Sequence, residues 1–146
     1  MVDENKRKEL EQRLYSEVVG FHDFVAQWFR GEVKDDPLLF EQHMKQKLAP
    51  DFINIQPSGQ VLTNEDLLIP IFQAHGVNPD FDISIREFHL MFVGADGSFA
   101  VGRYIEDQTG ARNTTPSNNS RISSVGFRLE DKILWQFCHE TGLNAP

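Results

Sequence analysis

The feature that most restricts this chain is a change of hydrophobic period near its middle. From Glu9 to Arg30, Leu14, Val18, Phe21, Val25 and Trp28 recur at steps of three and four, and Phe24 and Phe29 widen the row. That spacing places them on one stripe of an amphipathic helix, and Gly31 suits its C-terminal cap. Beyond residue 80 the period falls to two. The pattern predicts strands over Phe81–Val93, Ser98–Gln108, Ser120–Leu129 and Lys132–Glu140. "GADG" and "LEDK" supply tight turns, and "TGARNTTPSNN" a longer polar loop. Helices followed by a meander of long antiparallel strands predict an α+β fold, with the helices packed on one face of a strongly curved sheet.

Between the two regimes the local signals are shorter. Asp36 can cap a second helix and Pro37 suits its first position, after which Phe40, Met44 and Leu48 fall four apart. "DFINIQPSGQVLT" predicts a short strand pair around Pro57–Gly59. Thr63 with Asp66 resembles a capping box for a third helix ending near Gly76, which Pro70 is predicted to kink or split.

Composition narrows the function classes. With 146 residues, 40% of them hydrophobic and twelve of them Phe, the chain predicts one domain over 1–146 with a sizeable core. A net charge of -8 argues against nucleic acid and anionic membrane as partners, since both attract basic surfaces. No apolar run approaches the ~20 residues of a membrane-spanning helix. "MVDENKRKELEQR" lacks the apolar region of a signal peptide, and Cys138 is the only cysteine, so a cytoplasmic location without an internal disulfide is expected. "NTT" at 113 and "NNS" at 118 match the glycosylation pattern, but without a secretion signal they mark a polar loop. There is no His-x-x-x-His pair, no cluster of acids and no second cysteine, so neither metal nor cofactor is expected.

Two strands carry polar groups on apolar rows. In "ILWQFCHETG", Trp135, Phe137 and His139 share one face and Leu134, Gln136 and Cys138 the other. His139 is then either a satisfied core residue or the lining of a cavity, and Cys138 alternates away from it. In "AVGRYIED", Val101, Arg103 and Ile105 share a face, and an inward arginine there must find a carboxylate, a ligand or water. Pairing with Glu87 or Glu106, or a place in an interface, is the alternative reading for Arg103. His89, Met91 and Tyr104 are assigned to the outer face of the sheet, which has too many large side chains for a plain solvent face and predicts a two-fold dimer. His22, His43 and His75 lie on helices and are read as surface or boundary residues.

The chain resembles the nuclear transport factor 2-like superfamily, which includes SnoaL-like polyketide cyclases, ketosteroid isomerase and the association domain of calmodulin-dependent kinase. The segment "FVAQWFRGEVKDDPLLFEQHMKQKLAPDFINIQPSG" resembles the family's long helix, second helix and hairpin; "FAVGRYIEDQTG" resembles its central strand and "ILWQFCHETG" its closing strand. The resemblance implies a cystatin-like α+β cone, pairing as a dimer through the sheet, with a pocket between the concave face and Phe21, Phe24, Val25 and Trp28. Gln56, Val101, Ile105, Trp135 and Phe137 are expected to line the same pocket. It implies either a cofactor-free lyase, isomerase or cyclase, with His139 as acid–base and Arg103 as anion stabiliser, or a non-catalytic oligomerisation or partner-binding module. The ligand expected is a small, partly apolar and anionic organic molecule. The isomerase's own mechanism does not carry over. Its oxyanion-stabilising tyrosine matches Phe24, which donates no hydrogen bond, and its aspartate base matches Gln56, which does not ionise.

Overall fold

The computed structural model describes residues 3–112 and 114–143; Asn113, the first acceptor of the glycosylation pattern, lies outside them. A long helix, α1 (Glu4–Arg30), begins five residues before the apolar stripe does, because Asp3 caps it by accepting from the Lys6 N–H at 2.9 Å. It ends at Gly31, whose φ of 75° lets its N–H reach back to the last turn. Then come α2 (Pro37–His43), a 3-10 turn (Lys45–Lys47), β1 (Leu48–Ile55), β2 (Val61–Thr63) and α3 (Asn64–Gln73). Four long strands complete the chain: β3 (Asp82–Val93), β4 (Phe99–Thr109), β5 (Asn119–Leu129) and β6 (Ile133–Leu143). The architecture is α+β: a helix packed on one six-stranded sheet of order β2-β1-β6-β5-β4-β3. Among the described residues, only the β1–β6 pair is parallel.

Each local device acts as its residues dictate, with two corrections. Asp36 caps α2 by accepting from the Leu38 N–H, and Thr63 and Asp66 form the full capping box of α3. Leu48 is not helical: α2 stops at His43, and Leu48 starts β1 as a buried partner of Trp135 in β6. Nor does Pro70 split α3, which continues to Gln73. The ring removes a single N–H from the helix, and its cost is carried by the packing of the neighbouring Leu68 and Ile71 on the core.

Leu14 and Val18 are fully buried against the sheet. Trp28 is not placed on the concave sheet face as its row suggested. It is fully buried among Phe24, Phe40, Phe72 and His75, where it ties α1 to α2 and α3. Its indole N–H donates to the carbonyls of Ile71 at 3.0 Å and Phe72 at 3.3 Å. Phe24 belongs to this group too, stacked on His43.

Bulges decide which way the strands face. In β6, Trp135 opposes Phe127 but Phe137 opposes Gly126, so Gln136 is an extra residue. Gln136 is fastened by Arg128 and Asp51, which also pair with each other at 2.6 Å. Past it the parity reverses. Trp135, Cys138 and Glu140 turn inward, while Phe137 and His139 turn to the convex side. Gly126 is required there, since a Cβ at this position would lie 2.2 Å from the Phe137 ring. In β3, extra residues at Glu87–Phe88 and at Met91 bend the strand around α1. Glu87 takes a left-handed φ of 54°, and Glu11 of α1 accepts from the Leu90 N–H at 2.8 Å.

Truncating Trp28 to Ala is expected to cost about 3–5 kcal/mol, because it opens a cavity at the junction of all three helices and removes the indole N–H that bonds the Ile71 and Phe72 carbonyls. Urea denaturation of parent and variant checks this. A loss below about 1 kcal/mol would contradict the role given to Trp28.

Candidate functional site

Between α1, α3 and the concave sheet face lies a cavity of about 240 Å3. Phe21 and Val25 of α1, Phe52 of β1, Phe81, and Trp135 of β6 form its apolar wall. Phe21 packs on Trp135 with ring centroids 4.6 Å apart. A polar wall faces them, built from one helix and four strands: His22, Asn54, Tyr104, Glu106, Gln108, Arg121, Cys138 and Glu140.

His22 reaches this wall because it lies on the same row of α1 as Leu14 and Val18, each four residues apart. Its Nδ1 lies 2.8 Å from the Val18 carbonyl and its Nε2 lies 3.1 Å from Glu106 Oε1. Both neighbours are acceptors, so the geometry selects the imidazolium, with both ring nitrogens donating. Burial works against that charge, but the Glu106 carboxylate and the Val18 carbonyl outweigh it and raise the His22 pKa. Burial alone would likewise raise Glu106. His22, then Arg121 and the Gln108 amide, which donates at 2.5 Å, hold it below the ordinary carboxylate value.

The second half of the wall is an ion pair of its own. Arg121 donates to Glu140 Oε1 at 3.0 Å, and Asn54 donates to Glu140 Oε2 at 3.3 Å. Burial and then repulsion from Glu106 push the Glu140 carboxyl up in spite of these partners. The two carboxyls in one cavity are thus shifted in opposite directions, the pattern by which a site divides acid from base. Burial also raises the Tyr104 phenol well above its usual value and pushes up the Cys138 thiol, which leaves both neutral. They lie in contact, Tyr104 Oη 3.7 Å from Cys138 Sγ.

Among the described residues, three buried polar atoms on side chains of the two walls have no partner: Trp135 Nε1, Asn54 Oδ1 and Arg121 Nε. An unpaired buried donor or acceptor costs ~1–3 kcal/mol.

The residues expected from the sequence divide sharply. Phe21, Val25, Gln56 and Trp135 line the cavity, whereas Phe24 and Trp28 are packed against α2. Arg103 and His139 do not face it. Arg103 opposes Ser124, which opposes His139, so the two share the convex face with Val101, Ile105 and Phe137. His139 is exposed. The reason in β6 is the bulge at Gln136. In β4 both rows carry apolar residues, and the inward one is Ala100, Gly102, Tyr104 and Glu106, where Gly102 leaves room for the Phe88 ring. Tyr104 is accordingly buried, not on the outer face. Sequence reasoning missed His22, Glu106, Arg121 and Glu140. Only His22 carried a usable signal, its step of four from Val18.

No known protein family's sequence profile matches this chain, and no curated protein matches it. Solved structures do. A protein of unknown function from Pseudomonas aeruginosa, described as NTF-2 like, superposes with a TM-score of 0.76 at 22% identity, covering 90% of this chain and 98% of that one. A candidate dehydratase of the NTF2-like family from Streptomyces avermitilis gives 0.68 at 14% identity, covering 94% and 99%. The association domain of C. elegans CaMKII gives 0.66 at 10% identity, covering 92% and 97%. The fold is therefore the cystatin-like cone of the NTF2-like proteins.

The coupled ionisations have a consequence for stability. The raised His22 pKa contributes stability that is complete below the unfolded imidazole value near ~6.5 and is lost as pH rises through the folded value. The lowered Glu106 pKa contributes stability that is complete above ~4.3 and is lost as pH falls. Raised Glu140 also disfavours the folded state as pH rises. The melting temperature should therefore fall between pH 6 and pH 9. Glu106→Gln removes the carboxylate that raises His22, so burial then dominates and that part of the slope should reverse sign. Parallel slopes for parent and variant would refute the pairing.

Proposed function

We propose that this protein binds a small, partly apolar organic molecule in the cone's cavity and exchanges protons with it, as a lyase or isomerase that needs no cofactor. The observation that carries this reading is the buried His22–Glu106 pair set in an aromatic wall. A structural role alone would not call for a second, oppositely shifted carboxyl beside it. His22 is kept protonated by Glu106 and oriented by the Val18 carbonyl; its Nδ1–H is committed to that carbonyl, so it donates a proton to a ligand oxygen through Nε2, the ligand oxygen sharing or replacing the Glu106 contact. Glu140, raised by burial, is the group to accept one from a ligand carbon or hydroxyl. Phe21, Phe52 and Trp135 exclude water and strengthen both interactions. The Streptomyces avermitilis neighbour, a candidate dehydratase, is compatible with such chemistry. Among the described residues no helix is long and apolar enough to cross a membrane.

A second reading rests on a different surface. The convex face presents Ile53 at 44% and Phe92 at 57% exposure, beside the half-buried Val101, Ile105, Ile122 and Phe137. This row supports a homodimer through the sheet, and the CaMKII association domain among the similar structures is compatible with assembly as the function itself.

Soaking crystals with a library of small ring compounds, neutral and anionic, tests the first reading. At least one should occupy the cavity with an oxygen within hydrogen-bond reach of His22, and His22→Ala should lose it. A cavity that stays free of every compound would overturn the catalytic reading. Sedimentation equilibrium tests the second: a dimer is expected at micromolar concentration, and Phe92→Asp together with Ile53→Asp should give a monomer. A parent that is already monomeric under those conditions would remove the interface.

A further inference from the structure

A second hollow of about 250 Å3 lies beside the inner cavity. Its apolar lining is Phe29 of α1, Pro70 and Ile71 of α3, the α3 cap residue Ala74, Val77, and Phe81 just before β3. Phe29, Pro70, Ile71 and Phe81 line both spaces, so the two meet at these four side chains. The segment between α3 and β3 commits its hydrogen-bonding groups away from the hollow. The Gly76 N–H donates to the Trp28 carbonyl at 3.0 Å and the Asn78 N–H to the Phe29 carbonyl at 2.9 Å. Asn78 and Arg112 also line the hollow, but the Asn78 amide donates to the Gly110 carbonyl and Arg112 Nη1 to the Val77 carbonyl, both at 2.7 Å. Gly110, with φ 68°, permits this approach, since a Cβ there would lie 2.6 Å from the Asp80 carbonyl oxygen. The hollow is thus fixed in shape by backbone contacts and offers a ligand mainly carbon.

The inner cavity has the opposite character at its far wall. His22, Arg121 and Glu140 line it and keep 11%, 14% and 11% of their side-chain surface accessible. The two spaces in series are therefore polar at the sheet end and apolar at the α3 end. Each alone lies below the ~300–1,000 Å3 of sites for drug-sized ligands, and together they reach it. A compact polar molecule would leave the outer hollow to water, at the cost of wetted apolar surface. A molecule with an apolar extension would cover it.

We infer that the ligand is an elongated amphipathic molecule, with a polar, ring-sized head against His22 and Glu140 and an apolar tail that passes Phe29, Ile71 and Phe81 into the second hollow. This inference rests on the cavity being a ligand site and adds that the outer hollow selects the tail. Ala74 and Val77 act as specificity residues, separate from the proton-exchanging His22 and Glu140.

Isothermal titration calorimetry at pH 7 with phenol, 4-ethylphenol, 4-butylphenol and 4-hexylphenol tests it. Affinity for the parent should rise from 4-ethylphenol to 4-hexylphenol by about three- to four-fold per methylene, the gain expected when each is buried in an apolar site. Ala74→Phe, which fills the outer hollow, should leave the affinity for 4-ethylphenol at the parent value and abolish the rise. Val77→Asp should abolish it too, by placing a charge in the hollow; Val77 is 53% exposed, so this variant keeps the fold and decides the matter if the Phe variant does not. A rise of the parent's size in a folded variant places the tail elsewhere and overturns the inference. So does a parent that binds 4-ethylphenol and gains nothing from longer chains, and both outcomes leave the inner cavity as a ligand site. Failure of all four compounds to bind, each tested to its solubility limit, overturns the inference and removes the support for a ligand site with it.

Discussion

A helix with an apolar stripe must bury it, and here the stripe is longer than any flat sheet of short strands could cover. Burial of α1 under the concave face is the constraint from which the rest follows. Leu14 and Val18 are fully enclosed, and to enclose them the edge strand β3 must bend, which it does at Glu87–Phe88 and Met91. The bend leaves the Leu90 N–H free of its ladder, and Glu11 of α1 takes it up. Arg7 of α1 donates to the Leu90 carbonyl at 3.0 Å, so helix side chains satisfy both backbone groups that the bend exposes at this residue.

Wrapping a sheet around a helix also creates the site. The concave face cannot be filled at the wide end by one helix, and the space left is bounded by α3 and β1. A wholly apolar lining would have closed this space with side chains at a gain in burial. The chain places His22, Glu106, Arg121 and Glu140 there instead. The two ion pairs compensate one another, yet their desolvation makes this a poor way to stabilise a core. Retaining them alongside unpaired donors and acceptors is a cost in stability that packing does not repay, and the function proposed for the cavity rests on that cost.

The convex face follows a different logic. Its row of Val101, Ile105, Ile122 and Phe137 is interrupted by Arg103, Ser124 and His139. Mixed apolar and charged groups of this kind suit a surface that meets another protein surface, rather than a sealed core or a solvent face. One sheet therefore separates two environments: the concave side faces α1 and the cavity, and the convex side faces outward.

Much of the fold was legible in residue order. The stripe Leu14–Val18–Val25, the caps at Gly31, Asp36 and Thr63, and the turns at "GADG" and "LEDK" each act within a few residues, and all stand where local chemistry puts them. The α+β architecture followed from them, whereas the expectation that Phe21, Val25, Gln56 and Trp135 line a pocket came from the family resemblance and not from local chemistry. What was not legible is the direction of β4 and of the end of β6. Period two specifies that neighbours face opposite ways, but not which way is inward. With apolar residues on both rows of β4, the row of Tyr104 and Glu106 is selected by contacts distant in sequence: Gly102 against the Phe88 ring, and Tyr104 and Glu106 against His22 of α1. In β6 the single extra residue Gln136, held by Arg128 and Asp51, exchanges His139 for Glu140 at the wall. The sequence by itself determined the elements and their caps, because those depend on neighbours along the chain. Only the tertiary structure decided which charged groups meet in the cavity, because a bulge or a choice of row depends on contacts between residues distant in sequence.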